Sequence, residues 1–124
     1  MTNTDQFPPD LQRFVQEMVP GKQITLAHII ANPDEILYTK LGLDPSVGYS
    51  RSAIGIMTAT PSETTIIMAD VAMKSSGAEL GFVDRFTGSL IITGTVSEVE
   101  ASVNAVLDYV GEKLGFTICP VTRT

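Results

Sequence analysis

The chain is poor in the side chains that most often carry chemistry. Its 124 residues include one cysteine, Cys119, and one histidine, His28. A single thiol closes no intramolecular disulfide, and no Cys/His set has the spacing of a zinc site, so no metal is expected and a reducing cytosol is the natural setting. Runs of lysine or arginine are missing as well. Eight basic residues against fourteen acidic ones leave a formal net charge of −6, which argues against nucleic acid as a partner. No segment approaches the roughly 20 apolar residues of a membrane span. The opening MTNTDQFPPD has neither the positive start nor the apolar stretch of a signal peptide, so the chain reads as neither exported nor embedded in a membrane. Phosphate-cradling GxGxxG and GxxxxGK[ST] patterns are absent, as is a GxSxG elbow. No cofactor and no catalytic set is therefore expected.

What is present is apolar bulk. Hydrophobic residues make up 44% and charged ones 18%, a high ratio for a soluble domain. A chain of this length fits one domain and buries roughly two-thirds of its unfolded surface. The apolar excess suggests buried subunit contacts in addition to a core.

Residues 1–10 are polar, contain Pro8 and Pro9, and read as a mobile arm. Residues 11–19 (Leu11, Gln12, Arg13, Phe14, Val15, Gln16, Glu17, Met18 and Val19) fit helical spacing and strand alternation, with periodicity favouring a helix. Pro20 and Gly21 then break the chain. The run 24–31 reads as a buried strand. Asn32, Pro33 and Glu35 are expected to start a short helix that Gly42 ends. Residues 43–52 form a surface loop. A second buried strand covers 53–59, and Thr60, Pro61 and Glu63 are expected to cap a helix that runs to about Ser76. Residues 78–86 and 89–96 form a hairpin around Thr87 and Gly88. Ser97 and Glu100 are read as a capping box for a helix whose buried face is Val99, Val103, Val106, Val110 and Leu114. The tail, 116–124, is a last short strand. Eight elements in this order imply an α/β (α+β) domain with helices packed on one sheet.

Few residues stand out as candidate sites. His28 lies inside an apolar strand and is read as a hydrogen-bonded structural histidine. Cys119 is read as a small apolar residue. Asp84 and Arg85 are taken as a structural ion pair, and Glu35, Glu63, Glu98 and Glu100 as acids complementing helix dipoles. Lys74 near a helix end and the turn Phe86-Thr87-Gly88-Ser89 are left without an assigned chemistry.

The segments AIGIMTA, MADVAMKSSGAELGF and TGSLIITGTVSEV, between Ala53 and Val99, resemble the bacterial microcompartment shell domain (BMC domain). The piece AHIIANPDEIL, which usually closes that domain, here comes first, so the chain looks circularly permuted. FVQEMVPGKQITLAHIIANP, SAIGIMTATPSE and GFVDRFTGSL are similar to the PduU/EutS type of the family, and the ending VTRT leans toward the PduU side. The resemblance implies a structural shell subunit of the bacterial cytoplasm. It would form cyclic homohexamers that pack with other shell proteins around propanediol, ethanolamine or choline breakdown. It also implies two parts: residues 1–20 as arm and axial strand, and residues 21–124 as the permuted domain. Residues 11–19 would then be a strand, six copies closing a small parallel barrel over the axis, a reading that overrides the helical periodicity. Phe86, Thr87, Gly88 and Ser89 would line the pore, Lys74 would lie at the hexamer edge, and the barrel could gate the pore or dock cargo encapsulation peptides.

Two other classes fit the composition. One is a small-ligand regulatory domain of ACT-like or PII-like type, which would behave as a monomer or trimer. The other is an enzyme, which requires His28 or Cys119 to face a pocket with an oriented partner.

Overall fold

The computed structural model describes residues 21–43 and 52–124. The expectations for residues 1–20 and for most of the loop 43–52 therefore lie outside the described residues. The elements are β1 (Gln23–Ile30), α1 (Ile36–Lys40), β2 (Ala53–Thr60), α2 (Thr64–Ser75), β3 (Glu79–Asp84), β4 (Ser89–Gly94), α3 (Val96–Glu112) and β5 (Thr122–Arg123). Their kinds and order are those expected from the sequence.

The strands form one sheet in the order β3-β4-β2-β1-β5. Every pairing is antiparallel except that of β1 with β5, which is parallel. The central strand, β2, is an apolar run buried along nearly its whole length, as a strand covered on both faces requires, whereas β1 leaves Thr25 and Leu26 exposed. A register shift between Ile24 and Leu26 interrupts β1. That irregularity returns Ile24 to the face occupied by Ala27 and Ile29, so all three are buried in one core although their spacing is not a strict period of two.

Helices α2 and α3 cover that face of the sheet. Thr65, Met68, Ala69 and Ala72 form the buried stripe of α2, and Val99, Val103, Val106 and Val110 that of α3. They meet Met57, Leu90 and Ile92 from the sheet. Leu114 joins the core only partly, because α3 ends at Glu112. The opposite face is covered by α1 and the residues after it, where Tyr38 and Leu43 pack on Ile54 and Ile91. The Tyr38 hydroxyl donates to the Ser52 carbonyl and ties this small layer down.

The helix starts differ from the expected ones. Neither Asn32 nor Pro33 begins α1; the helix starts at Ile36, whose N–H is accepted 3.1 Å away by the Asp34 carboxylate. The Thr60-Pro61-Glu63 cap is replaced by a tight turn of i to i+3 bonds, with the Thr65 hydroxyl donating to the Ser62 carbonyl at 2.7 Å. For α3 the capping box is Thr95 and Glu98, two residues earlier than Ser97 and Glu100. Only α3 has a side-chain capping box; the N-cap residues of α1 and α2, Glu35 and Glu63, make no side-chain cap bond.

α2 and α3 are also joined by a small polar seam. The fully buried Ser102 hydroxyl donates to the Ala72 carbonyl at 3.0 Å and lies 2.7 Å from the Ser76 hydroxyl. Ser76 in turn donates to the Glu98 carbonyl at 2.9 Å and accepts the Ala78 N–H at 3.1 Å. The Ala72 carbonyl, in the last turn of α2, thus gains a partner across the packing seam besides the Ser75 hydroxyl of its own helix.

Candidate functional site

The turn joining β3 to β4 is built by its own first residue. One oxygen of the Asp84 carboxylate accepts the N–H groups of Phe86 at 2.8 Å and Thr87 at 3.3 Å, and the other accepts the Thr87 hydroxyl at 2.8 Å. An aspartate that caps its own turn in this way replaces a backbone turn bond. Those donors, the Phe86 N–H foremost, hold the Asp84 carboxyl below the usual aspartate value. Asp84 and Arg85 are therefore not the ion pair expected from the sequence. Asp84 is spent on the turn, and the Arg85 guanidinium lies 5.0 Å from the centroid of the Phe86 ring, a cation–π distance.

Gly88 closes the turn against the body of the domain. Its φ is +83°, its N–H donates to the Asp84 carbonyl at 2.9 Å, and its own carbonyl accepts the Ala59 N–H at 2.9 Å. A β-carbon here would strike the Ala59 carbonyl oxygen, so glycine is required by both conformation and space. Thr87 and Ser89 offer hydroxyls 3.2 Å apart. Phe86 stands out from the surface at 80% exposure. The four turn residues expected to act together are thus adjacent in space as well as in sequence.

Lys74 occupies the last turn of α2, and its ammonium lies 2.8 Å from the Asp70 carboxylate one turn back. That hydrogen bond and charge raise the Lys74 pKa. Both side chains are exposed, so the pair contributes little to stability. They rim a hollow of about 400 Å³ between α2 and α3, walled by Ile67, Val71, Ser75 and Tyr109. The i, i+4 spacing of Asp70 and Lys74 was legible in the sequence once the helix was placed; the approach of Tyr109 from α3 was not. Lys74 and the turn sit at opposite ends of β3, roughly 17 Å of strand apart, and form no common site.

His28 is hydrogen-bonded at both ring nitrogens, Nδ1 to the Thr122 hydroxyl at 2.6 Å and Nε2 to the Thr124 hydroxyl at 2.9 Å. It clips β5 to β1, the structural role expected of it. Cys119 is half-buried, and burial pushes its thiol pKa up, so it lacks the activation of a nucleophilic cysteine. Glu100 is not a first-turn acid but pairs with Arg123 at 2.8 Å, a contact between α3 and β5 that sequence reasoning missed. Among the described residues no cluster of three or more His, Cys, Asp or Glu could hold a metal ion. No helix among them is long and apolar enough to cross a membrane.

The surface is more informative than any cavity. Leu80, Phe82 and Val83 of β3, Ile66 and Ile67 of α2, and Phe86 of the turn are all exposed. β3 is also a sheet edge, with one row of backbone groups that no neighbouring strand of this sheet pairs. Apolar side chains gathered at a bare edge mark a contact surface rather than a solvent face. The fold and this surface define an assembly domain.

Comparison with known proteins places that domain. Residues 53–122 match the BMC domain, more than half of the chain, and the chain belongs to the BMC-domain family of bacterial microcompartment shell proteins. It is 53% identical over 116 residues to the bacterial microcompartment shell protein PduU of Salmonella typhimurium, covering 94% of this chain and 97% of that one. It is 46% identical to the shell protein EutS of Escherichia coli, over 93% of this chain and 99% of that one. Among solved structures it resembles a CutR flat hexamer with a TM-score of 0.78 and 47% identity, over 88% of this chain and 96% of the other.

Proposed function

We propose that this chain is a structural, non-catalytic subunit of a microcompartment shell in the bacterial cytoplasm, working as a cyclic homohexamer that packs with other shell proteins. The observation that carries this reading is the bare apolar edge of β3 beside Ile66, Ile67 and Phe86 in a chain so similar to one that forms flat hexamers. A ring made by a head-to-tail contact covers such an edge in every subunit and leaves no end open. The enclosed pathway is one of propanediol, ethanolamine or choline breakdown.

The finer parts of the reading belong to the same proposal. Circular permutation is supported by the closeness of the two ends of the domain: Thr117 donates to the Lys22 carbonyl at 3.0 Å, and β5 lies parallel beside β1. Chain ends held in neighbouring strands can be joined and reopened elsewhere at little cost. In the hexamer Phe86, Thr87, Gly88 and Ser89 line the axis, and Lys74 meets a neighbouring hexamer. Residues 1–20 form a separate arm whose stretch 11–19 closes a barrel over the pore, gating it or docking cargo peptides. Residues 21–124 form the permuted domain. Native mass spectrometry at neutral pH is expected to give six subunits. A species that stays monomeric at high concentration overturns the hexamer and the shell role with it.

A further inference from the structure

A ring made head to tail needs two different surfaces on every copy, and the bare β3 edge supplies only one of them. Among the described residues, the large apolar side chains left exposed apart from those gathered beside β3 are Leu26, Ile36, Leu41, Tyr109 and Ile118. Tyr109 borders the hollow that it shares with Ile67, and Ile36 and Leu41 belong to α1 and its end, over β2 and β4. Leu26 and Ile118 remain, and both flank β5: Leu26 is on β1, the strand that pairs with β5, and Ile118 is in the segment leading into it. β5 is the sheet's other edge, so this second patch lies across the domain from β3. The charges at the two edges are complementary end for end. Asp84 pairs with Ser89, Ser89 with Thr58, and Gln23 with Thr60, so Asp84 and Lys22 stand at the same end of the sheet. Arg123 lies opposite Ile29, and that row continues through Gly55 and Ile92 to Leu80, next to Glu79. Glu79 and Arg123 therefore share the other end. Glu79 and Lys22 have no ion-pair partner among the described residues, and Arg123 keeps donors besides the one given to Glu100. Arg85 lies just past the strand, with its guanidinium over the Phe86 ring.

We infer that the β3 edge of each copy docks on the β5 flank of the next, with Leu80, Phe82 and Val83 against Leu26 and Ile118, and with the acidic ends of β3 beside Arg123 and Lys22. The inference rests on the ring of the proposed function and names the surface that closes it. With the turn at the axis and Lys74 outermost, β3 lies along a radius and the two sheet edges face the two neighbours. Rotation about the axis carries inner end onto inner end, which sets Asp84 of one copy beside Lys22 of the next and Glu79 beside Arg123. A two-fold pairing of β3 with itself, centred on the strand, would instead set Glu79 of one copy against Asp84 of the other, like charge against like. β5 is two residues long, so the joint is made by side chains and not by an extended backbone ladder. The apolar part drives the association, and the charges at either end fix its register.

Cysteine pairs in the full-length protein read this joint. In a Cys119→Ser background, which leaves no other thiol, Val83→Cys with Ile118→Cys probes the inner part and Leu80→Cys with Arg123→Cys the outer part, each treated with a short bis-maleimide. Both pairs are expected to give a ladder of covalently joined subunits up to the hexamer on a denaturing gel, and each single variant to give none. The exposed contact with Glu100 that Arg123→Cys removes contributes little to folding, and either ladder suffices, so a pair that fails to fold leaves the other to decide. Native mass spectrometry on the same samples counts the subunits. Six subunits with no ladder from either pair overturns this joint and leaves the ring standing, whereas monomers from the natural protein overturn the ring and the joint with it. Dimers from Val83→Cys alone show β3 meeting itself, and a ladder when Ile36→Cys replaces Ile118→Cys shows it meeting α1; each overturns the β5 flank.

Discussion

Gly55 sits in the middle of β2, opposite Ile29 on β1 and Ile92 on β4, beneath Val99 of α3. A β-carbon placed there would be 2.8 Å from Val99 Cγ1 and 2.9 Å from Ile92 Cγ1. Carbon atoms in contact rest about 3.5–4.0 Å apart, so Gly55→Ala must push the helix or its neighbours away by roughly 0.7 Å. Val99 and Ile92 are fully buried and cannot swing into solvent. Overpacking of this kind costs about 1–3 kcal/mol, and the reduced freedom of the unfolded chain returns about 0.4–1 kcal/mol. A net loss of about 1–2 kcal/mol is expected, read from urea midpoints at one fixed protein concentration, since assembly adds stability by mass action. Val99→Ala alone is expected to cost about 2–3 kcal/mol through lost transfer energy and a residual void. In the double variant the new methyl group enters the space that Val99 vacates, so the combined loss should fall short of the sum by about 1 kcal/mol. A stabilised Gly55→Ala, or strictly additive losses, would refute the close-approach argument.

Ser102→Ala is expected to cost only about 1 kcal/mol despite full burial, because Ala72 still accepts the Ser75 hydroxyl at 2.9 Å and Ser76 keeps Glu98; a loss above about 3 kcal/mol in calorimetry would show those second partners to be ineffective. The depressed Asp84 carboxyl contributes stability above the ordinary aspartate value near 3.9, and loses it as pH falls through that value toward the lower folded one. The stability gap between the natural protein and Asp84→Asn should therefore shrink from pH 6 to pH 3 in urea titrations, and a gap that widens in acid contradicts the turn geometry. Lys74→Asp places two acids one helical turn apart at an exposed site. It should leave hexamers intact by native mass spectrometry while abolishing sheets in electron micrographs, and unchanged sheets sink the edge role.

The elements and their order were legible in the sequence because local chemistry dictates them. Apolar runs too short for helices had to be buried strands, and the valine face from Val99 to Val110 could only be one side of a long helix. The Thr-Gly pair between two strands read correctly as a hairpin, since the positive φ of Gly88 is a local turn requirement visible in the residue type. Helix starts were misplaced by two or three residues at α1, α2 and α3 because Ser, Thr, Asn and Glu recur near each mouth, and at α1 and α2 the N-cap residue makes no side-chain cap bond that such a pattern could mark. His28 was correctly expected to be hydrogen-bonded, but its partners, Thr122 and Thr124, stand more than ninety residues away in sequence.

What the sequence determined by itself was local: the kinds of element, the apolar faces, the absence of a motif for bound phosphate, and a resemblance strong enough to name the shell family. Tertiary structure decided everything that depends on which distant residues meet. It turned Asp84 from an ion-pair partner of Arg85 into the cap of its own turn, joined Glu100 to Arg123, and used the irregularity in β1 to return Ile24 to the core. It also left β3 bare at the sheet edge with its apolar side chains exposed. Hydrophobic composition cannot distinguish a buried valine from one that awaits a neighbouring subunit, because the two differ only in whether the folded chain itself supplies the cover.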